Sequence, residues 1–151
     1  MTLKIGDTCP NFSLKNQKGE TVNSADLIGS KNLVIFFYPK DETPGCTKEA
    51  CSFRDMHDDF KNLGCEVIGI SSDSVHSHKK FAEKFQLSYI LLADTQRTVR
   101  AAFQVPANLF GLIPGRVTYI VDKTGIIRGI HNSQTDPVGH ISAALNLVKT
   151  L

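Results

Sequence analysis

The chain has 151 residues, 41% of them hydrophobic and 21% charged, which suits one domain spanning residues 1–151 with a substantial core. A formal charge of +2 leaves no basic footprint for nucleic acid or a membrane surface. No apolar run approaches a membrane span, no signal pattern opens the chain, and four cysteines are too few for a disulfide scaffold of this size. They fit catalytic thiols in a reducing compartment, with the cytoplasm as the default.

The elements follow in chain order. Asn11 to Leu14 is extended, Lys18-Gly19 is a turn, and Thr21-Val22 is a second short strand, giving an N-terminal hairpin. Ser24 is expected to cap a brief helix ending near Gly29. Leu33 to Tyr38 is the most apolar run of the chain and predicts a fully buried strand.

Pro39 ends that strand. Thr43 is expected as N-cap, with Pro44 at the first helical position, where its missing N–H costs nothing. One long helix is then predicted from Thr43 to about Leu63, closed by Gly64. Cys46 falls in its first turn, where unpaired backbone N–H groups and the positive dipole end favour a thiolate. Ala50, Phe53, His57 and Phe60 continue the inward stripe that Cys46 begins. Cys51 lies off it, in line with Asp55 and Asp58. On an ideal helix, Cα atoms five positions apart are about 8.6 Å distant, beyond the roughly 7 Å that a disulfide spans. A Cys46–Cys51 bond therefore requires the first turns to unwind, so the pair is expected to have a helical reduced form and a locally unfolded oxidised form. On residue types alone, two small hydrophobes in a helix remain the alternative.

Cys65 to Ser71 is the next buried strand. Ser74 to Phe85 is a helix with Val75, Phe81, Ala82 and Phe85 inward, Ile90 to Leu92 a short strand, and Thr98 to Phe103 a helix. Gln104 to Gly115 reads as a loop whose Leu109, Phe110, Leu112 and Ile113 flank the active-site mouth. Arg116 opens the strand Val117 to Val121, and the Asp122–Gly125 turn leads back through Ile126 to Ile130. Asp136-Pro137 caps a last helix with Ile141, Ala144, Leu145 and Val148 on its face. The alternation predicts an α/β fold, a central mixed β-sheet flanked by helices.

Pro39, Thr43 and Cys46 match the Pro-x-x-x-Thr-x-x-Cys signature of the peroxiredoxins. Tyr38 to Cys51 resembles the peroxiredoxin Q, or bacterioferritin comigratory protein, subgroup. The runs Leu112–Tyr119 and Asn132-Ser133-Gln134 are similar to its plant and cyanobacterial members. The likeness extends from Gly6–Phe12 to the C-terminal helix, with Cys9 where the family usually has Ala and Asn11 where it has Asp; neither position bears chemistry in the family.

The resemblance implies a thioredoxin-like fold and a thiol peroxidase acting on hydrogen peroxide and alkyl hydroperoxides. It makes Cys46 peroxidatic and Cys51 resolving, Arg116 the active-site arginine, Thr43 the hydroxyl that bonds peroxide and thiolate, and Pro39 the shield over the site. The Gly45 and Cys46 backbone N–H groups would donate to the peroxide, with Glu49 either supporting Arg116 or standing as a solvated surface carboxylate. The sulfenic acid on Cys46 would pass to a Cys46–Cys51 disulfide and be recycled by thioredoxin, or glutaredoxin in places. The implied protein is a monomer that needs no cofactor or metal and binds neither nucleic acid nor membrane.

Two rivals are a protein thiol–disulfide oxidoreductase and a non-enzymatic redox-sensing or metal-binding module. Against the first, the chain has no Cys-x-x-Cys, and Thr43 and Arg116 would lack a purpose. Against the second, His76 and His78 point to different helix faces, and His57 reads as a core histidine. His131 and His140 stand alone in the sequence, and Cys9 and Cys65 read as structural.

Overall fold

The computed structural model describes residues 3–108 and 113–151. Leu109, Phe110 and Leu112, expected beside the active-site mouth, lie outside the described residues. Strands β1 (Ser13–Asn16), β2 (Thr21–Asn23), β3 (Asn32–Phe37), β4 (Cys65–Ser71), β5 (Ile90–Ala93), β8 (Val117–Val121) and β9 (Ile127–Asn132) form one mixed sheet in the order β2-β1-β5-β4-β3-β8-β9. A second ribbon pairs β6 (Ala107–Asn108) with β7 (Ile113–Pro114), where a plain loop was expected. Two-residue strands are too short to leave a periodic signal.

The apolar run of β3 is continuous because both faces of the sheet are covered. Val34, Phe36 and Tyr38 join one cluster with Ala50, Phe53, Phe60, Phe81 and Ile141. That layer is supplied by α2 (Pro44–Asp55), α3 (His57–Asn62), α4 (Val75–Phe85) and α6 (Gly139–Val148). Leu33, Ile35 and Phe37 face the other way, onto Phe12, Val99 and Phe103, with Leu27 packed alongside. There α1 (Ser24–Leu27) and α5 (Thr98–Ala102) provide the cover. Gly69 of β4 lies opposite Phe36, and a Cβ there would come within 2.7 Å of the Phe36 ring and 2.9 Å of Leu91. The glycine makes room for the aromatic layer beneath α2.

Three boundaries differ from expectation. The long helix is broken at Met56, whose φ of −101° and ψ of 6° leave the helical range. No proline or glycine marks the break. The second segment is anchored by tertiary contacts, His57 Nδ1 to Ser88 Oγ at 2.7 Å and the His57 ring edge-on to Tyr89. Ser24 is the first residue of α1 rather than its cap, because its Oγ accepts the Phe12 N–H at 2.9 Å. Helix α6 starts at Gly139, with Asp136 Oδ1 accepting the Gly139 N–H at 3.1 Å, so the expected aspartate caps from one turn upstream.

Register explains where the ends of these elements meet. β3 runs parallel to β4 and antiparallel to β8, pairing Phe37 with both Ile70 and Val117. The exit of β3, from which the chain turns into α2, therefore lies beside the entry of β8. Sheet pairing thus carries Arg116, immediately before β8, to the start of α2.

Candidate active site

After Tyr38 the chain passes through half-buried Pro39 and reaches Glu42, whose φ of 62° is left-handed. This is uncommon for a residue with a Cβ and reverses the chain into the helix. Thr43 is the N-cap with Pro44 behind it, as the sequence predicts, but its side chain does not cap: Oγ1 donates to Lys40 O at 2.9 Å. The Thr43 carbonyl accepts the Thr47 N–H at 2.8 Å. Gly45 and Cys46 are the next helical residues, so their N–H groups have no carbonyl one turn back to pair with. Cys46 is 1% exposed on the core side, and Cys51 is half-buried on the other side.

Arg116 is the centre of the cluster. Its Nη2 donates to Cys46 Sγ at 3.3 Å and its Nη1 to Glu49 Oε1 at 2.6 Å. Glu49, one turn after Cys46, is fully buried, which removes the reading of a solvated carboxylate. Burial pushes its carboxyl up to about 8, against the pull of the adjacent guanidinium. Arg116 is desolvated too, but Glu49 and Cys46 hold its proton more tightly than usual. Gly45 leaves space for this guanidinium: a Cβ there would stand 3.2 Å from Arg116 Nη2.

Several buried polar residues around the site carry no local sequence signal. Arg100 of α5 donates to Gly115 O and to Tyr38 O, both at 3.0 Å, and clamps the backbone before Arg116 to the backbone before Pro39. Tyr38 Oη donates to Asp41 Oδ1 at 2.5 Å, while Asp41 Oδ2 meets His78 Nδ1 at 2.7 Å and Ser77 Oγ at 2.8 Å. Asp41, Asp73 and His78 are close enough to surround a cation. Their facing atoms are already engaged, however, with Asp73 Oδ2 accepting from Asp41 N and Ser71 Oγ. The group braces the loop between β3 and α2 against α4. His131 and His140, separate in the sequence, pack edge to face with ring centroids 4.5 Å apart.

All four cysteines are free. Burial pushes the thiols of Cys9 and Cys65 up to about 12, so both are poor nucleophiles. Cys46 therefore differs from them in kind: it is buried against a cation at a helix start.

A family model described as the AhpC/TSA family matches residues 5–130. The chain is 49% identical over 146 residues, 97% of its length and 67% of the relative's, to "Peroxiredoxin Q, chloroplastic" of Triticum aestivum. The chain belongs to the AhpC/TSA family, among its peroxiredoxins of the Q type. Its fold superposes on the crystal structure of peroxidoxin BcpB from Mycobacterium tuberculosis with a TM-score of 0.91 and 36% identity, covering 99% of this chain and 98% of that one. It also matches the bacterioferritin comigratory protein of Xanthomonas campestris, studied for alkyl peroxide reduction in trapped intermediate/ligand complexes. That match has a TM-score of 0.84 and 29% identity over 92% of this chain and 90% of the other. The thioredoxin-like fold and a thiol-dependent peroxidase activity follow from this membership, and both rival functions fall away. The family acts on peroxides and draws on a thioredoxin-type reductant. Among the described residues, no helix of this peroxiredoxin is long and apolar enough to cross a membrane.

Proposed function

We propose that Cys46 is the peroxidatic nucleophile and Cys51 the resolving thiol of an atypical 2-Cys cycle. The observation that carries this reading is the 3.3 Å contact of Arg116 with Cys46 Sγ in the first turn of a helix. Arg116 and the helix start both favour the anion. The thiolate attacks the terminal peroxide oxygen, an S–O bond forms as the O–O bond breaks, and the departing alkoxide or hydroxide takes up a proton. Arg116, with the Gly45 and Cys46 N–H groups, stabilises charge spreading over both oxygens. Thr43 Oγ1 turns from Lys40 O to the peroxide, and Pro39 keeps water off the thiolate.

Cys46 is left as a sulfenic acid. The Cys51 thiol condenses with it, releasing water, and the disulfide forms once the start of α2 unwinds. A dithiol, thioredoxin or in places glutaredoxin, returns both thiols by exchange. Hydrogen peroxide and alkyl hydroperoxides are the substrates, in keeping with the Xanthomonas relative, and the protein acts as a monomer without a cofactor. Four cysteines, too few for a disulfide scaffold in a chain of this size, fit a reducing compartment: the cytoplasm is proposed, whereas the wheat relative is named chloroplastic. Cell fractionation separates the two.

Treating reduced protein with one equivalent of hydrogen peroxide, followed by non-reducing peptide mass mapping, tests the cycle. A dominant Cys46–Cys51 crosslink is expected. A crosslink to Cys9 or Cys65, or a persistent sulfenic acid, would remove Cys51 from its role.

A further inference from the structure

Behind Arg116 the chain holds an unassigned polar cluster of Glu49, Thr118 and His140, each 0% exposed. Glu49 Oε1 accepts from Arg116, but Glu49 Oε2 has no hydrogen-bond partner among the described residues and faces His140 Nδ1 at 3.5 Å. The other imidazole nitrogen fixes the tautomer. His140 Nε2 lies 2.8 Å from the Ser133 carbonyl oxygen, which can only accept, so Nε2 carries the proton. In the neutral ring Nδ1 is then bare and accepts the Thr118 hydroxyl at 2.7 Å. An ionised Glu49 would set a carboxylate lone pair against an imidazole lone pair 3.5 Å away. One proton removes that conflict.

We propose that Glu49 is a neutral carboxylic acid in the reduced enzyme, its proton on Oε2 directed at His140 Nδ1, so that Arg116 keeps its whole charge for the Cys46 thiolate. His140 and Thr118 are positioning residues that act through Glu49 and Arg116. The placement of the proton on the acid rather than the ring agrees with burial, which holds His140 down at about 4 and raises Glu49 to about 8.

The surroundings are mixed. Arg116 and His131 oppose a proton on His140, whereas the Ser133 carbonyl and Asp136 favour one. Arg116 also opposes the proton on Glu49, so burial is what places it on the acid. Arg116 and Thr118 face the pair from the β8 segment, and Cys46 shares the helix of Glu49. The His131 ring of β9 packs on His140, while Asp136 before α6 and Tyr89 before β5 act at longer range. If Glu49 were ionised, Arg116 would be shared between two anions and would favour the Cys46 thiolate less.

The inference rests on Cys46 being the reacting thiol, so its test reads charge rather than turnover. Infrared difference spectra of the reduced protein at neutral pH should contain a protonated-carboxyl stretch that Glu49→Gln removes and His140→Leu diminishes. The pH dependence of Cys46 alkylation by iodoacetamide, assigned by peptide mass, supplies the second readout. His140→Leu should raise its midpoint by about one pH unit in the Glu49 background and leave it unmoved in the Glu49→Gln background. Should His140→Leu not fold, Thr118→Val leaves Nδ1 to the Glu49 proton alone and should move the carboxyl stretch to lower wavenumber, and an unmoved stretch would overturn the proposal. Absence of the carboxyl band, or an equal shift in both backgrounds, overturns the proposal. Failure of the peroxidase reading shows separately, as no peroxide consumed by the unaltered protein.

Discussion

At Gly45 the missing side chain is itself a functional feature. A methyl group there would press on Arg116 Nη2 from 3.2 Å, and Arg116 is held in place by Cys46 and Glu49. Gly45→Ala is expected to lower kcat/KM for hydrogen peroxide by about tenfold, since displacements well below 1 Å already disturb a reacting geometry. Thermal unfolding should change little, and an unaltered kcat/KM would show that Arg116 can move without consequence. Arg116→Lys tests the planar fork. A lysine offers one point charge where Cys46 and Glu49 each take a separate nitrogen, so it cannot serve both. The expected loss is roughly a hundredfold in kcat/KM, comparable to removing one donor to a developing oxyanion. Stopped-flow peroxide consumption measures both variants.

Helix α2 has opposing demands: it must be formed to present Cys46 and must open to let Cys51 reach it. One brake on opening is Tyr89, whose Oη donates to Ala50 O at 2.7 Å from a fully buried position. Tyr89→Phe deletes that bond while keeping the ring against Phe36 and Phe53. A hydrogen bond worth about 1 kcal/mol translates into disulfide formation roughly fivefold faster, with sulfenic acid formation unchanged. Rapid quench and mass analysis would separate the two steps, and an unchanged second step would mean that α2 opens elsewhere first.

The site elements themselves were legible in the sequence. The apolar run ending at Pro39, the Thr43-Pro44 cap pair and the stripe from Cys46 to Phe60 each have a local cause. The break at Met56 was not, because it comes from His57 binding Ser88 across the fold. The same holds for Arg100, His140 and the Asp41–His78 brace. The contacts that bury them join Arg100 to Tyr38, His140 to Thr118 and His78 to Asp41, which stand 62, 22 and 37 positions apart in the chain. An isolated charged residue on a helix gives no sign that it is buried until that partner is known.

For the whole molecule, the buried titrating groups set how stability depends on pH. Glu49 has an ordinary value of 4.5 and rises to about 8 on folding, so between these values the folded chain keeps a proton that the unfolded chain has lost. Stability from Glu49 therefore falls as pH rises through that interval, by at most about 1.4 kcal/mol per pH unit. His140 works in the opposite sense. Its ordinary 6.5 drops to about 4, so the unfolded chain holds the extra proton and stability climbs with pH between those values. The two slopes oppose each other between 4.5 and 6.5, and above 6.5 Glu49 acts alone. Cys9 and Cys65, raised from 9.0 to about 12, extend the decline into alkaline pH. Urea midpoints of the reduced protein are thus expected to hold or rise slightly between pH 4.5 and 6.5, where His57 adds to the His140 slope, and to fall from there toward pH 8. Glu49→Gln should remove the fall between 6.5 and 8 while leaving the alkaline part in place. A wild-type fall that persists in this variant would assign the proton to another group and leave Glu49 ionised beside Arg116.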